Sequence, residues 1–212
     1  MKKSIFILVM FTLVTSGVFA QISLSAGGGA LFDWSFNNGL SFSEPGFGSV
    51  SLSIDNMSPG AYAFFDATFV EAEVNFAYGW MTEKLKAEEL GYGSFSYKYT
   101  YGSLQLGFSV LGKFPFDLGF ITLFPLLGLD YNIVLAVFDD EFWGDSMDLN
   151  QLGFLAGVGV DYDLTKYLYL RGEALFHLRL PSKLMNDLSM GGATKDLGIG
   201  PRIKVGVGYR FF

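Results

Sequence analysis

Apolar and polar residues alternate with a period of two along most of this chain, and the pattern is cleanest at its C-terminal end. Leu197, Ile199, Ile203, Val205, Val207, Tyr209 and Phe211 hold the odd positions, while Gly198, Gly200, Arg202, Lys204, Gly206, Gly208 and Arg210 hold the even ones. Such alternation predicts a strand with one greasy and one polar face, far longer than most strands of soluble proteins. Seven earlier segments carry a similar signal, over residues 22–36, 49–55, 62–80, 95–112, 120–138, 151–162 and 167–180. Loop signals separate them: a polar stretch at 37–48, the tight turn Ser58-Pro59-Gly60, a charged stretch at 81–93, short turns at 113–119 and 163–166, an acidic stretch at 139–149 and a longer loop at 181–196. Two places resist the pattern. Phe64-Phe65-Asp66 breaks the alternation and predicts a bulge, and Tyr97, Tyr99 and Tyr101 fall on the polar face of the fourth strand.

Eight strands with connections alternately long and short predict an all-β protein, an eight-stranded antiparallel up-and-down transmembrane β-barrel. An even number of strands closes the sheet without an edge, which hydrocarbon demands because it cannot satisfy free N–H and C=O groups. Aromatic positions support a bilayer. Trp34 and Trp80 fall at one end of their strands, and Phe114, Phe120, Tyr209 and Phe211 at the other. Two aromatic levels around an aliphatic zone form the girdle that membrane interfaces favour. A secreted soluble barrel of the lipocalin type shares the alternation with its faces exchanged, but the scarcity of charge on the greasy face favours the membrane form.

Composition sharpens this picture. Charged residues make up 17% and aromatics another 17%, with a mean hydropathy of +0.36. A soluble chain this greasy needs a large core, whereas lipid covers the apolar face of a membrane barrel. The first twenty residues read as a cleaved secretory signal peptide. Lys2 and Lys3 precede an apolar stretch from Ile5 to Val14, and Val18-Phe19-Ala20 offers a small-residue cleavage site before Gln21. The mature barrel is then residues 21–212, and loss of the two lysines takes its balance from 14 minus 21 to 12 minus 21, or −9. An acidic chain without a basic tract is not a nucleic-acid binder. Cysteine is absent, which excludes disulfides, thiolate metal sites and a lipid-modified N-terminal cysteine.

Lys204, Gly206, Tyr209 and Phe211 fit the terminal pattern of the small eight-stranded bacterial outer-membrane barrels, polar, any, glycine, two of any, aromatic, any, aromatic, with Phe212 as one extra residue. The mature chain resembles that family, the type of OmpX, OmpW and the OmpA membrane domain. The resemblance implies an outer-membrane location, insertion by the barrel-assembly machinery with the last strand as assembly signal, contact with outer-membrane lipid and lipopolysaccharide or an equivalent glycolipid, and a monomer.

The polar faces gather Glu71, Glu73, Asp130, Asp161, Arg171, Glu173, His177, Arg179, Arg202, Lys204 and Arg210 into one expected lumen network. An eight-stranded interior is only wide enough for side chains to fill, so a closed plug is expected and a narrow conduit is its alternative. His177 is the only histidine. Two relatives in the resembled class are lipid-modifying enzymes, one with His, Asp and Ser and one with a His-any-Ser pair, but here Arg179 stands where the latter has its Ser. No catalytic, cofactor or metal residue is assigned. The acidic stretch with Asp139, Asp140, Glu141, Asp145 and Asp148 lacks calcium-loop spacing and reads as solvated. A structural or surface-interaction protein is thus the leading reading, a narrow pore or small-solute transporter the second, and a lipid-modifying enzyme the third.

Overall fold

The computed structural model describes residues 23–44, 48–89, 93–138, 149–181, 194–195 and 197–211. The predicted signal peptide and all but the last residue of the acidic stretch lie outside these. Eight long strands follow one another: β1 (Leu24–Glu44), β2 (Gly48–Ala67), β3 (Val70–Glu89), β4 (Gly93–Lys113), β5 (Ile121–Phe138), β6 (Gln151–Asp163), β7 (Leu168–Arg179) and β8 (Gly198–Arg210). Each pairs antiparallel with the next, and β8 returns to β1 through the run Ser25↔Arg210 to Phe36↔Ile199. The sheet therefore closes, and the predicted up-and-down barrel is the observed architecture. Two-residue strands, Phe116–Asp117 and Thr194–Lys195, add short pairings to β5 and β1.

The polarity is inverted relative to a soluble protein. Leu127, Val158 and Val205 are 68%, 62% and 61% exposed, whereas Arg171, His177 and Lys204 are each 1% exposed. A wall that turns valine and leucine outward and ionised groups inward is stable only where hydrocarbon replaces water on its outside.

Strand boundaries differ from expectation in the first half of the barrel. Ser58-Pro59-Gly60 is not a turn but lies within β2, paired through Ser58↔Asp33, Pro59↔Phe32 and Gly60↔Leu31. The turn instead falls at Thr68 and Phe69, between the paired Ala67 and Val70. Thr68 takes the left-handed region at φ 49°, uncommon for a β-branched residue. Its Oγ1 accepts from the Ser23 backbone N–H at 2.8 Å and donates to the Ser23 carbonyl at 3.2 Å, which offsets that cost. No bulge is needed at 64–66: Phe64 and Asp66 point in and Phe65 points out, in regular register with β3.

The stretches at 37–48 and 81–93 were expected as loops, yet most of each is strand. β1 and β2 pair out to Glu44↔Gly48, and β3 and β4 pair from Met81↔Tyr101 to Glu89↔Gly93. Both hairpins continue past the barrel at the end opposite Thr68. This extension resolves the tyrosine conflict. Tyr101 is buried at the mouth and donates to Glu83 Oε1 at 2.8 Å, while Tyr99 and Tyr97 stack above it at ring spacings of 6.1 and 6.2 Å.

Candidate functional site

The lumen is where the chemistry gathers, and strand parity alone sends it there. Among the described residues, seven buried carboxylates (Asp33, Asp66, Glu71, Glu73, Asp130, Asp161, Glu173) meet five buried cations (Lys113, Arg171, Arg179, Arg202, Lys204) and His177. They form three linked groups stacked along the barrel.

At the turn end, Arg171 is the hub. It grips Asp161 with two parallel bonds, Nε to Oδ1 and Nη2 to Oδ2, both 2.8 Å, and reaches Asp66 at 2.8 Å and Glu71 through Nη1. Such a fork is the strong form of an ion pair. Its guanidinium lies 4.3 Å from the Phe64 ring centre and 5.2 Å from those of Phe124 and Tyr169. Lys113 holds Asp66 from the other side.

In the middle, the Lys204 ammonium binds Glu73 and Glu173 and stands 3.9 Å from Glu71. Register explains part of this, since Lys204 is directly opposite Glu173 across β8 and β7. Oxygens of these three glutamates lie within 4.8 Å of one another, a density that suits a divalent cation. Lys204 supplies the positive charge there itself.

Toward the hairpin end, Asp33 receives Arg202 Nε at 2.7 Å and Arg179 Nη2 at 2.9 Å. His177 sits between two carboxylates, with Nε2 2.7 Å from Asp130 and Nδ1 3.3 Å from Asp33. Arg179 also donates to Ser35 Oγ at 2.9 Å. Beyond this level Asn56, Ser58, Gln105 and Asn132 form a neutral hydrogen-bonded cluster.

Apolar side chains fill what charge leaves. Leu111, Phe124, Leu126, Leu155 and Leu175 make one internal cluster, and Leu31, Tyr62, Phe64 and Tyr169 another. Wall glycines admit the rings: a Cβ on Gly159 would lie 2.1 Å from the Phe124 ring, and one on Gly208 would lie 2.1 Å from that of Tyr169. The ion pairs and these two apolar clusters thus share the described interior of the barrel. A groove of about 540 Å³ lies instead on the outer wall, between Leu123, Val158, Val160, Gly172, Ala174 and Val205.

Of the residues singled out in the sequence, Glu71, Glu73, Asp130, Asp161, Arg171, Glu173, His177, Arg179, Arg202 and Lys204 come together here. Arg210 does not. It sits at the mouth on the turn side, half-buried, bonded to Asp163 at 2.6 Å. Asp33, Asp66 and Lys113 were left out of the expected network. Asp66 and Lys113 lie where the strand ends were misplaced, and Asp33 was already on the polar face of the first strand, so inward parity was the available signal. In the terminal pattern, Lys204 and Gly206 point inward, while Tyr209 and Phe211 are exposed and meet edge to face at 5.6 Å.

Aromatic rings band the outside at two levels. Trp34, Met57, Trp80, Gly102 and Phe138 form one continuous cross-strand row. Phe114, Phe120, Tyr167, Tyr209 and Phe211 are exposed at the turn end. From Val70 to Trp80 is ten residue steps along β3. At about 3.3 Å each and a tilt of roughly 40°, they rise ~25 Å, the height of a bilayer-spanning apolar band. This is the architecture of a small outer-membrane β-barrel.

No protein-family model matches the chain, and no curated protein matches it. Solved structures of barrels do. The chain is similar to the translocator domain of the autotransporter NalP from Neisseria meningitidis, at 15% identity and TM-score 0.36 over 99% of this chain and 96% of that one. It is similar to the Escherichia coli outer membrane protein W at 15% identity and TM-score 0.36, over 86% and 98%. Likeness to the outer membrane protease OmpT from Escherichia coli is 11% identity at TM-score 0.30, over 91% and 97%.

Proposed function

We propose that this protein is an integral outer-membrane barrel with a sealed lumen and no enzymatic role, which acts structurally or through its protruding hairpins at the cell surface. One observation carries the reading: the interior between the two aromatic bands is filled by interlocked ion pairs and two apolar clusters, so the wall serves as a scaffold rather than a channel. His177 fits that role, because among the described residues its polar partners are two carboxylates and two arginines rather than a hydroxyl nucleophile. Its partners are outer-membrane lipid and glycolipid, and the barrel-assembly machinery during insertion.

Single-channel recording in planar bilayers tests the proposal. A sealed barrel is electrically silent. Discrete conductance steps would overturn the sealed lumen and favour a narrow pore. The surplus of carboxylates, seven against five fixed cations among the described residues, makes such a pore cation-selective.

A further inference from the structure

The outward face of the barrel changes character just past the Trp80 row. On β3 the outward positions run Val74, Phe76, Tyr78 and Trp80, then Thr82, Lys84 and Lys86; on β4 they run Phe108, Leu106 and Leu104, then Thr100, Lys98 and Ser96. Register sets Thr82 against Thr100, Lys84 against Lys98 and Lys86 against Ser96. Neighbouring β2 adds Ser51, Ser53 and Asp55 to the same face. Grease gives way within two residues to lysines and hydroxyls.

Two lysines directly opposite across a ladder repel, and folding alone does not ask for them. Asp55 meets Lys84, and register places Glu88 at the far end of the same face, which leaves three lysines to two carboxylates. That local excess stands on a chain whose net charge is −7. Lys86 and Lys98 are exposed. The other face of the same hairpin carries Tyr97, Tyr99, Tyr101 and Glu83, so the lysines are confined to the side that continues the lipid-facing wall.

Height identifies the occupant. Lys84 is four residues beyond Trp80 on β3. At about 3.3 Å per residue and a tilt of roughly 40°, it stands ~10 Å above the aromatic row, at the level of lipid headgroups. We propose that this face of β2, β3 and β4 docks the phosphorylated glycolipid headgroups of the outer leaflet. Lys84, Lys86 and Lys98 bind phosphate, and Ser53, Ser96 and Thr100 offer hydroxyls to phosphate and sugar oxygens. The inference rests on the outer-membrane reading above and gives that lipid contact its residues.

The test uses the refolded full-length barrel in phosphocholine vesicles doped with bisphosphorylated lipid A or its dephosphorylated form, with bound lipid counted by native mass spectrometry. The wild-type barrel retains the phosphorylated form in preference. Each of Lys84→Gln, Lys86→Gln and Lys98→Gln lowers that preference about fivefold, and the triple variant abolishes it. Lys166→Gln, in the turn at the opposite end, leaves it unchanged. Relief of the Lys84–Lys98 repulsion offsets loss of the part-exposed Lys84–Asp55 pair, so stability in plain phosphocholine changes little; if the triple variant fails to fold, Lys98→Gln alone decides the matter. Equal retention of both lipids, or a preference that survives the lysine changes, overturns the inference. Displacement of lipid A by an equal concentration of inorganic phosphate would mark a free-anion site and overturn it too. Failure to insert into either vesicle refutes the membrane reading instead.

Discussion

Arg171→Met removes the cation with the most partners in the lumen while keeping most of its apolar stem. Four carboxylates then need other company. Asp66 keeps Lys113 and Glu173 keeps Lys204, but Asp161 loses its two-pronged partner and Glu71 is left with Lys204 at 3.9 Å. Removing one partner of a fully buried ion pair costs about 3–5 kcal/mol, because the remaining charge stays desolvated. Lost contact between the guanidinium and the Phe64, Phe124 and Tyr169 rings falls within that range, at ~1 kcal/mol. With a urea slope of about 2 kcal/mol/M, the unfolding midpoint from phosphocholine vesicles, followed by tryptophan emission, drops by about 2 M. Arg171→Lys keeps the charge but not the fork, and falls between wild type and methionine. Adding Asp161→Asn and Glu71→Gln to Arg171→Met removes the orphaned charges and recovers most of the loss, since apolar or neutral replacements of whole buried ion networks are well tolerated. A single-variant loss below about 1 kcal/mol, or a triple variant no better than the single, refutes the ion-pair plug.

Other expectations follow from the same geometry. In Lys204→Met, Glu71, Glu73 and Glu173 lose their shared ammonium, so the variant is destabilised and Mn²⁺ or Ca²⁺ raises its melting temperature, whereas neither ion shifts wild type. A variant indifferent to both ions would contradict the view that Lys204 fills a cation position. Deleting residues 209–212 removes Tyr209 and Phe211 from the closing strand and leaves exported, unassembled protein; normal heat-modifiable migration on a gel counts against their role in assembly. Gly208→Val drives a side chain into the Tyr169 ring and lowers the yield of folded barrel, while Tyr169→Ala in the same background restores space and part of the yield.

Legibility of this fold in the sequence followed the strength of its local signals. β5 to β8 keep strict alternation between loops of clear polarity, and their ends fall close to expectation. In the first half, local chemistry misleads. Pro59 sits within a strand although it lacks a donor, and Ser-Pro-Gly mimics a turn. The true turn, Thr68-Phe69, contains no glycine, proline or asparagine, and its left-handed threonine is held by Ser23, a residue 45 positions away in sequence. No local pattern announces such a contact. The protruding hairpins were hidden for a related reason: outside the bilayer their faces no longer alternate between grease and charge in the same sense, so Lys84 and Lys86 read as a loop. Parity found most of the lumen network, but only coordinates show that Arg171 and Lys204 each serve several acids at once.

Spin labelling reads which way the greasy wall faces, and the chain has no native cysteine to interfere. Single cysteines replacing Leu127, Val158 and Val205, each labelled with a nitroxide in vesicle-embedded protein, report what bathes the outer wall. High collision rates with oxygen and almost none with a water-soluble nickel chelate are expected at all three positions. Ready access for the nickel chelate, or labels immobilised in a packed protein core, would contradict it.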